Sequence, residues 1–188
     1  MPIDKFKIAF IGSHGVGKTT LCFGLAARLK SRDLSVEVVH EVARRCPLPI
    51  NEETTVEAQA WILHTQIAEE LLASVRYPIV ICDRSVVDNY AYLNLAHGPS
   101  ARLERVMEDW LESYDKLFLV PVASAPRADG LRATDPTFQQ QVDIRVRQLL
   151  AERGILFHDL GAVTREHWLE RSVDLVLQAL QPPQLDLL

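Results

Sequence analysis

The chain alternates between short apolar runs enriched in β-branched residues and longer stretches in which apolar residues return every three or four positions. The runs fall at Lys7 to Ile11, Ser35 to Val39, Pro78 to Cys82, Lys116 to Val120 and Gly154 to Phe157. Near-continuous hydrophobicity such as Ile79-Val80-Ile81 is what a strand covered on both faces requires, so the five runs predict a parallel sheet. After the second run, Val56, Ala60, Leu63, Ile67 and Leu71 predict one stripe of a long helix. Leu103, Val106 and Trp110, then Val142, Val146 and Leu149, then Leu169, Val173, Val176 and Leu180 repeat that spacing around the last two strands. Strands alternating with helices long enough for crossovers predict a three-layer α/β domain, with the site in loops at the carboxyl ends of the strands. One domain is expected over 1–181, and Pro182 and Pro183 end the last helix, leaving 182–188 as a flexible tail.

The first strand-to-helix junction carries Gly12-Ser13-His14-Gly15-Val16-Gly17-Lys18-Thr19, which fits G-x-x-x-x-G-K-[ST]. It follows an apolar strand and precedes a helix-forming run from Thr20 to Lys30. An ordinary glycine-rich turn need not satisfy all four fixed positions together with both flanking elements. Glycines let successive N–H groups converge on one concavity, and the helix adds the positive end of its dipole, so a polyphosphate fits there. Lys18 is placed to reach the β- and γ-phosphates and Thr19 to hold the Mg²⁺ that bridges them, with Thr20 lining the same turn.

The other strand ends supply charged groups. His40-Glu41-Val42-Ala43-Arg44-Arg45 follows the second strand, and there Glu41 reads either as a base for an acceptor hydroxyl or as a surface carboxylate paired with Arg44 or Arg45. Asp83 closes the third strand where phosphate-loop proteins place a Mg²⁺ carboxylate. Arg84 follows it in place of a water-orienting glutamate, which points away from simple hydrolysis and toward a clamp on acceptor or phosphoryl group. Asp88, Asn89, Tyr90 and Tyr92 come next, as acceptor-pocket residues or, for the tyrosines, core edges. The segment from Pro121 to Pro136 reads as a loop ending in an Asp135 cap, and a lid over about 122–136 would carry Arg127 and Arg132. Arg145 and Arg147 are expected to face solvent. His158 to Thr164 occupies the place of a base-contacting loop, without N-K-x-D or D-x-x-G to specify guanine.

Composition narrows the partners. With 48% hydrophobic and 24% charged residues in 188, the chain reads as an ordinary globular protein. A net charge of -5 argues against general affinity for nucleic acid or anionic membrane. The three cysteines, Cys22, Cys46 and Cys82, have neither disulfide nor zinc spacing, Met1 to Lys5 lacks a signal-peptide pattern, and no run reaches membrane-span length, so a cytoplasmic location is expected.

These residues resemble those of phosphate-loop nucleoside and nucleotide kinases. More closely, the chain is similar to the short AAA-domain family that includes the ribosylnicotinamide kinase domain of a bacterial NAD-biosynthesis regulator. G-S-H-G-V-G-K-T-T-L at 12 to 21, H-E-V-A-R at 40 to 44, I-C-D-R-S at 81 to 85 and D-G-L-R-A-T-D-P at 129 to 136 carry the resemblance. It implies a P-loop kinase fold with five parallel strands in the order 2-3-1-4-5, ATP phosphates at Gly12 to Thr20, and Mg²⁺ at Thr19 with Asp83. It further implies a base or acceptor-binding role for Glu41, acceptor or phosphate binding by Arg84, and lid positions for Arg127 and Arg132. Deoxynucleoside kinases carry Glu before the Arg-Ser pair, so the division of base and metal between Glu41 and Asp83 stays open at this point. The expected activity is ATP- and Mg²⁺-dependent phosphoryl transfer to a hydroxyl of a small nucleoside-like acceptor, with a homodimer as an open alternative to a monomer. An ATP-binding switch acting on a protein partner and a polynucleotide 5′-end kinase are the competing readings.

Overall fold

The computed structural model describes residues 5–50, 53–123 and 135–181. Five parallel strands, β1 (Phe6–Ile11), β2 (Val36–Val39), β3 (Ile79–Asp83), β4 (Lys116–Leu119) and β5 (His158–Asp159), form one sheet in the order β2-β3-β1-β4-β5. Among the described residues there are six α-helices: α1 (Lys18–Lys30), α2 (Val56–Arg76), α3 (Val86–His97), α4 (Ala101–Leu111), α5 (Pro136–Glu152) and α6 (Trp168–Leu180).

Alternate strand residues enter two separate cores, which is why the strands are apolar without interruption. Ala9, Ile11, Val80, Cys82, Leu117 and Leu119 pack with residues of α2 to α5 on one face. Ile8, Phe10, Ile79, Ile81, Phe118 and Val120 pack with α1 and α6 on the other. Phe10 stacks on Phe118 and Phe118 on His158, each with ring centroids 5.3 Å apart, so one aromatic ladder crosses three adjacent strands. Cys22 and Cys82 lie fully buried as small hydrophobes. Among the described residues no helix is long and apolar enough to cross a membrane.

Two expected elements shift. The fifth strand begins at His158 and not at Gly154, because Gly154, at φ +62°, and Ile155 close the end of α5, with Ile155 N–H donating to Leu150 C=O at 3.0 Å. Pairing with β4 starts only at Phe118 with His158. The buried stripe of α2 is also rotated: Val56 and Leu71 are exposed, whereas Gln59, Ile62, Leu63, Gln66, Glu70 and Ala73 point inward. Periodicity counts apolar residues alone, and here polar ones are buried because each finds partners.

Glu70 is the extreme case, fully buried and surrounded by four donors. One carboxylate oxygen accepts from Gln66 and Tyr114 at 2.8 and 2.7 Å, the other from Lys7 and Trp110 at 3.1 and 2.7 Å. Lys7 Nζ also lies 4.2 Å from the Trp110 ring centre. An amide nitrogen cannot accept, so Glu70→Gln is expected to leave two donors unmatched and lower stability by about 1–3 kcal/mol. Urea unfolding followed by circular dichroism measures this, and an unchanged midpoint would show that the charge contributes nothing there.

Candidate functional site

Parallel pairing brings the carboxyl ends of β1, β2 and β3 to one edge of the sheet, so the loops that follow them meet there. The loop after β1 is shaped by three positive-φ glycines, Gly12, Gly15 and Gly17. Gly12, at φ +125°, lies so close to β4 that a Cβ would stand 2.7 Å from the Val120 carbonyl oxygen. Gly17, at φ +103°, turns the chain into α1, whose first turn carries no acidic residue. The result is a cradle lined by Gly15, Val16, Gly17, Lys18, Thr19, Glu41, Asp83 and Arg84. Ser13 and His14 are buried, whereas Thr20, in the first turn of α1, is exposed.

Lys18 lies across the loop, donating to the carbonyl oxygens of Gly12, at 2.8 Å, and Ser13. Burial, together with the neighbouring Arg84 charge, lowers its pKa to about 8 against the partial support of Asp88, Asp83 and Glu41. Because the unfolded value is 10.5, folding disfavours the charged ammonium, and stability is expected to rise as pH climbs from about 8 toward 10.5. Polyanion binding has the opposite sign, since it needs the charge. Nucleotide affinity is therefore expected to be flat below pH 8 and to fall up to about tenfold per unit above it. Calorimetry at pH 7 and 9 tests this, with Lys18→Arg expected to remove the slope.

Thr19 Oγ1 donates to Asp83 Oδ2 at 2.6 Å on the same wall of the cradle. Two hard oxygens side by side fit Mg²⁺, which takes one or two protein ligands and fills its octahedron with phosphate and water. Among the described residues no three His, Cys, Asp or Glu side chains gather to hold a metal by themselves.

Glu41 precedes a short 3-10 turn, Val42–Arg45, and is buried. Arg84 Nε donates to one of its oxygens at 2.6 Å and Arg44 Nε to the other at 2.9 Å. Burial pushes the carboxyl up, but the charges of Arg84, Lys18 and Arg44 outweigh it and hold the pKa at about 2. Glu41 is thus ionised throughout the physiological range, and the stability it adds is expected to be lost only as pH falls from about 4.5 through 2. Arg45 turns outward to Glu69, and His40 is exposed against Phe23.

Arg84 occupies a left-handed backbone conformation at φ +87°, uncommon for a residue with a side chain, while its N–H donates to Phe10 C=O at 3.1 Å. This conformation turns the guanidinium from the sheet edge to Glu41 and to the Tyr92 ring, 5.2 Å away. Directly after it, Ser85 and Asp88 form a capping box that starts α3. Asp88 does more than cap: its other oxygen accepts from the Gly12 N–H at 2.7 Å, tying the start of α3 to the start of the phosphate loop. His14 makes a second tie, Nδ1 to Tyr92 OH at 2.9 Å, and Gln139 of α5 donates to its carbonyl at 2.8 Å.

A second cavity opens on the far side of Glu41 and Arg84, its roughly 470 Å³ of space between atoms merging with open solvent. Arg44, Gln59, Ile62, Asn89 and Tyr92 line it, and Glu41 and Arg84 belong to both hollows. Of the four residues weighed for a pocket after β3, Asn89 and Tyr92 line this one. Asp88 faces the phosphate loop, and Tyr90 is a core edge whose hydroxyl donates to Glu104. Gln59 and Ile62 escaped the sequence reading because the helical stripe was drawn one face away. Arg165, after β5, was also missed, and its guanidinium lies 3.8 Å from where a Cβ on Gly17 would stand. Arg145 and Arg147 point away from the site, to Asn94 and Glu152 and to Asp143 and Asp159. Asp135 caps α5 as expected. Arg127, Arg132 and most of the lid segment, 124–134, lie outside the described residues, as does the tail at 182–188.

The same architecture occurs in known proteins. The NadR protein, solved in complex with NR, superposes with a TM-score of 0.74 at 19% identity over 98% of this chain and 54% of that one. The chain thus spans about half the length of that protein, and at this identity the likeness is one of fold. No curated protein sequence matches it. A family model described as an AAA domain matches residues 7–171, and the match takes in the glycine loop, the Glu41 turn and the Asp83-Arg84 strand end together. A five-stranded sheet in P-loop order with a nucleotide-binding loop at its first strand, matched over most of its length by that model, places this chain in the AAA domain family.

Proposed function

We propose that the protein is an ATP- and Mg²⁺-dependent phosphotransferase that passes a phosphoryl group to a hydroxyl of a small nucleoside-like acceptor. The observation that carries this reading is that Glu41 and Arg84 form the wall shared by the phosphate cradle and the adjoining cavity. A hydrolase needs only water beside its phosphate loop, whereas a shaped second cavity meeting the first at a carboxylate and a guanidinium suits a second substrate. The NadR protein, with NR bound, is a neighbour in fold and supports the choice of acceptor class.

In this mechanism the amides of Gly12 to Thr19 and the Lys18 ammonium hold the β- and γ-phosphates. Thr19 and Asp83 would hold Mg²⁺, which would supply positive charge against the phosphates. The close Thr19–Asp83 pair supports Asp83 on the metal side, with Glu41 on the acceptor side. Glu41 orients the acceptor hydroxyl, whose oxygen bonds to the γ-phosphorus as the bond to the β-phosphate oxygen breaks and ADP leaves. The hydroxyl proton passes through Glu41 to solvent. With a pKa near 2, Glu41 is a weak base, which suits a loose transfer in which the proton leaves late. Arg84 faces the charge that develops between the two hollows.

The test is ADP formation measured with nucleosides, ribosylnicotinamide, nucleoside monophosphates and 5′-hydroxyl oligonucleotides. Stimulation by a small acceptor, with the corresponding phosphorylated product in the mass spectrum, is the expected result. Tight ATP binding without stimulation by any acceptor would overturn the reading in favour of a regulatory switch, and stimulation by oligonucleotides alone in favour of an end kinase.

A further inference from the structure

Two residues that line the cavity beside Glu41 hold buried nitrogen donors, Arg84 Nη1 and Asn89 Nδ2, that have no hydrogen-bond partner among the described residues. Arg84 is 6% and Asn89 4% exposed, and both residues line the cavity. Protein interiors rarely leave such donors unmatched, so a ligand that brings acceptors to both gains over one that does not. The charge of the walls adds an independent constraint. Among the described residues that line it, Arg44 and Arg84 are cations and Glu41 is the carboxylate, an excess of positive charge. The Tyr92 ring, a face on which a cationic heterocycle could stack, already has the Arg84 guanidinium 5.2 Å from its centre. Ala43, Ile50 and Ile62 offer an apolar wall for a flat body.

We propose that the acceptor is an uncharged, nucleoside-like compound that presents two hydrogen-bond acceptors to Arg84 and Asn89, as the carbonyl edge of a neutral pyrimidine or purine nucleoside does, and that a cationic ring is rejected. This deepens the phosphotransferase reading and rests on the cavity being the acceptor site. The selectivity arises from two sources that act together: a cation meets the positive wall, and a ring poor in acceptors leaves both donors unmatched. Arg84 also positions Glu41, so Asn89 is the side chain through which specificity can be changed with least disturbance to the reacting groups.

The experiment compares uridine, cytidine and inosine with the cationic ribosylnicotinamide, by calorimetry with a non-hydrolysable ATP analogue and by ADP formation with ATP. At least one uncharged nucleoside is expected to bind ten times or more tightly than ribosylnicotinamide. Asn89→Leu, which keeps the branched outline and removes the donor, should weaken that nucleoside about tenfold and change ribosylnicotinamide less than threefold. Asn89→Asp, which replaces the donor with a negative acceptor, should narrow or reverse the preference, and it serves as the second variant if leucine impairs folding. Tighter binding of ribosylnicotinamide, or no binding by any of the three uncharged nucleosides, would overturn the inference. Turnover of ribosylnicotinamide alone would overturn it while leaving the phosphotransferase reading in place. An uncharged nucleoside that binds without raising ADP formation would do the reverse.

Discussion

In Lys18→Ala, acceptor-stimulated ADP formation is expected to fall by about a thousandfold or more, with little loss of folding stability. The two halves of this expectation have one cause. Lys18 is a buried cation that the fold disfavours, with a pKa lowered to about 8, and its present partners are two carbonyl oxygens of its own loop. Alanine removes those hydrogen bonds but also removes a desolvated charge, so the effects on stability oppose each other. No such offset exists in the proposed reaction, in which the ammonium would meet the phosphates in the cradle and electrostatic contacts to the transferring group are worth three or more decades. Thermal melting beside ADP release checks both parts. Acceptor-stimulated turnover above a tenth of the native rate would remove Lys18 from the phosphate contacts.

Glu41→Gln is the second large expectation: ATP affinity within about threefold of native and turnover lowered about a hundredfold or more, as for loss of a positioned proton acceptor. The glutamine keeps the size and one acceptor oxygen but cannot take a proton. It also leaves Arg84 without its anionic partner at 2.6 Å, so the melting temperature should fall as well. Assays well below that temperature separate the two effects. Turnover equal to native would take Glu41 out of the mechanism, and a large loss of ATP affinity would assign it to the cradle.

The phosphate loop was legible because its function is local. Gly12 to Thr19 carry their geometry in their own spacing and in the strand and helix beside them, and the structure places them in that geometry. The meeting of Asp83 with Thr19, the pair proposed for Mg²⁺, was nearly as legible, since Asp83 ends a strand adjacent to β1 and lands against Thr19. Glu41 shows where such reading stops. The sequence offered a base or a paired surface carboxylate, and the structure gives a buried carboxylate clamped by Arg44 from its own turn and by Arg84 from the next strand. The α2 face was misjudged for a related reason, because Glu70 faces inward against donors from other elements, with Gln66 bonded to it and Gln59 to Thr54 just before the helix.

By itself the sequence determined the alternation of strand and helix, the two-sided burial of the sheet and the anion-binding loop, because each depends on residues within a few positions of one another. Tertiary structure decided which charges meet. Asp88 fastens the phosphate loop to α3 across 76 positions, and Arg84 reaches Glu41 across 43. Those contacts depend on strand order and on one left-handed backbone angle at Arg84, quantities set by the packing of the whole sheet and carried by no short stretch of the chain.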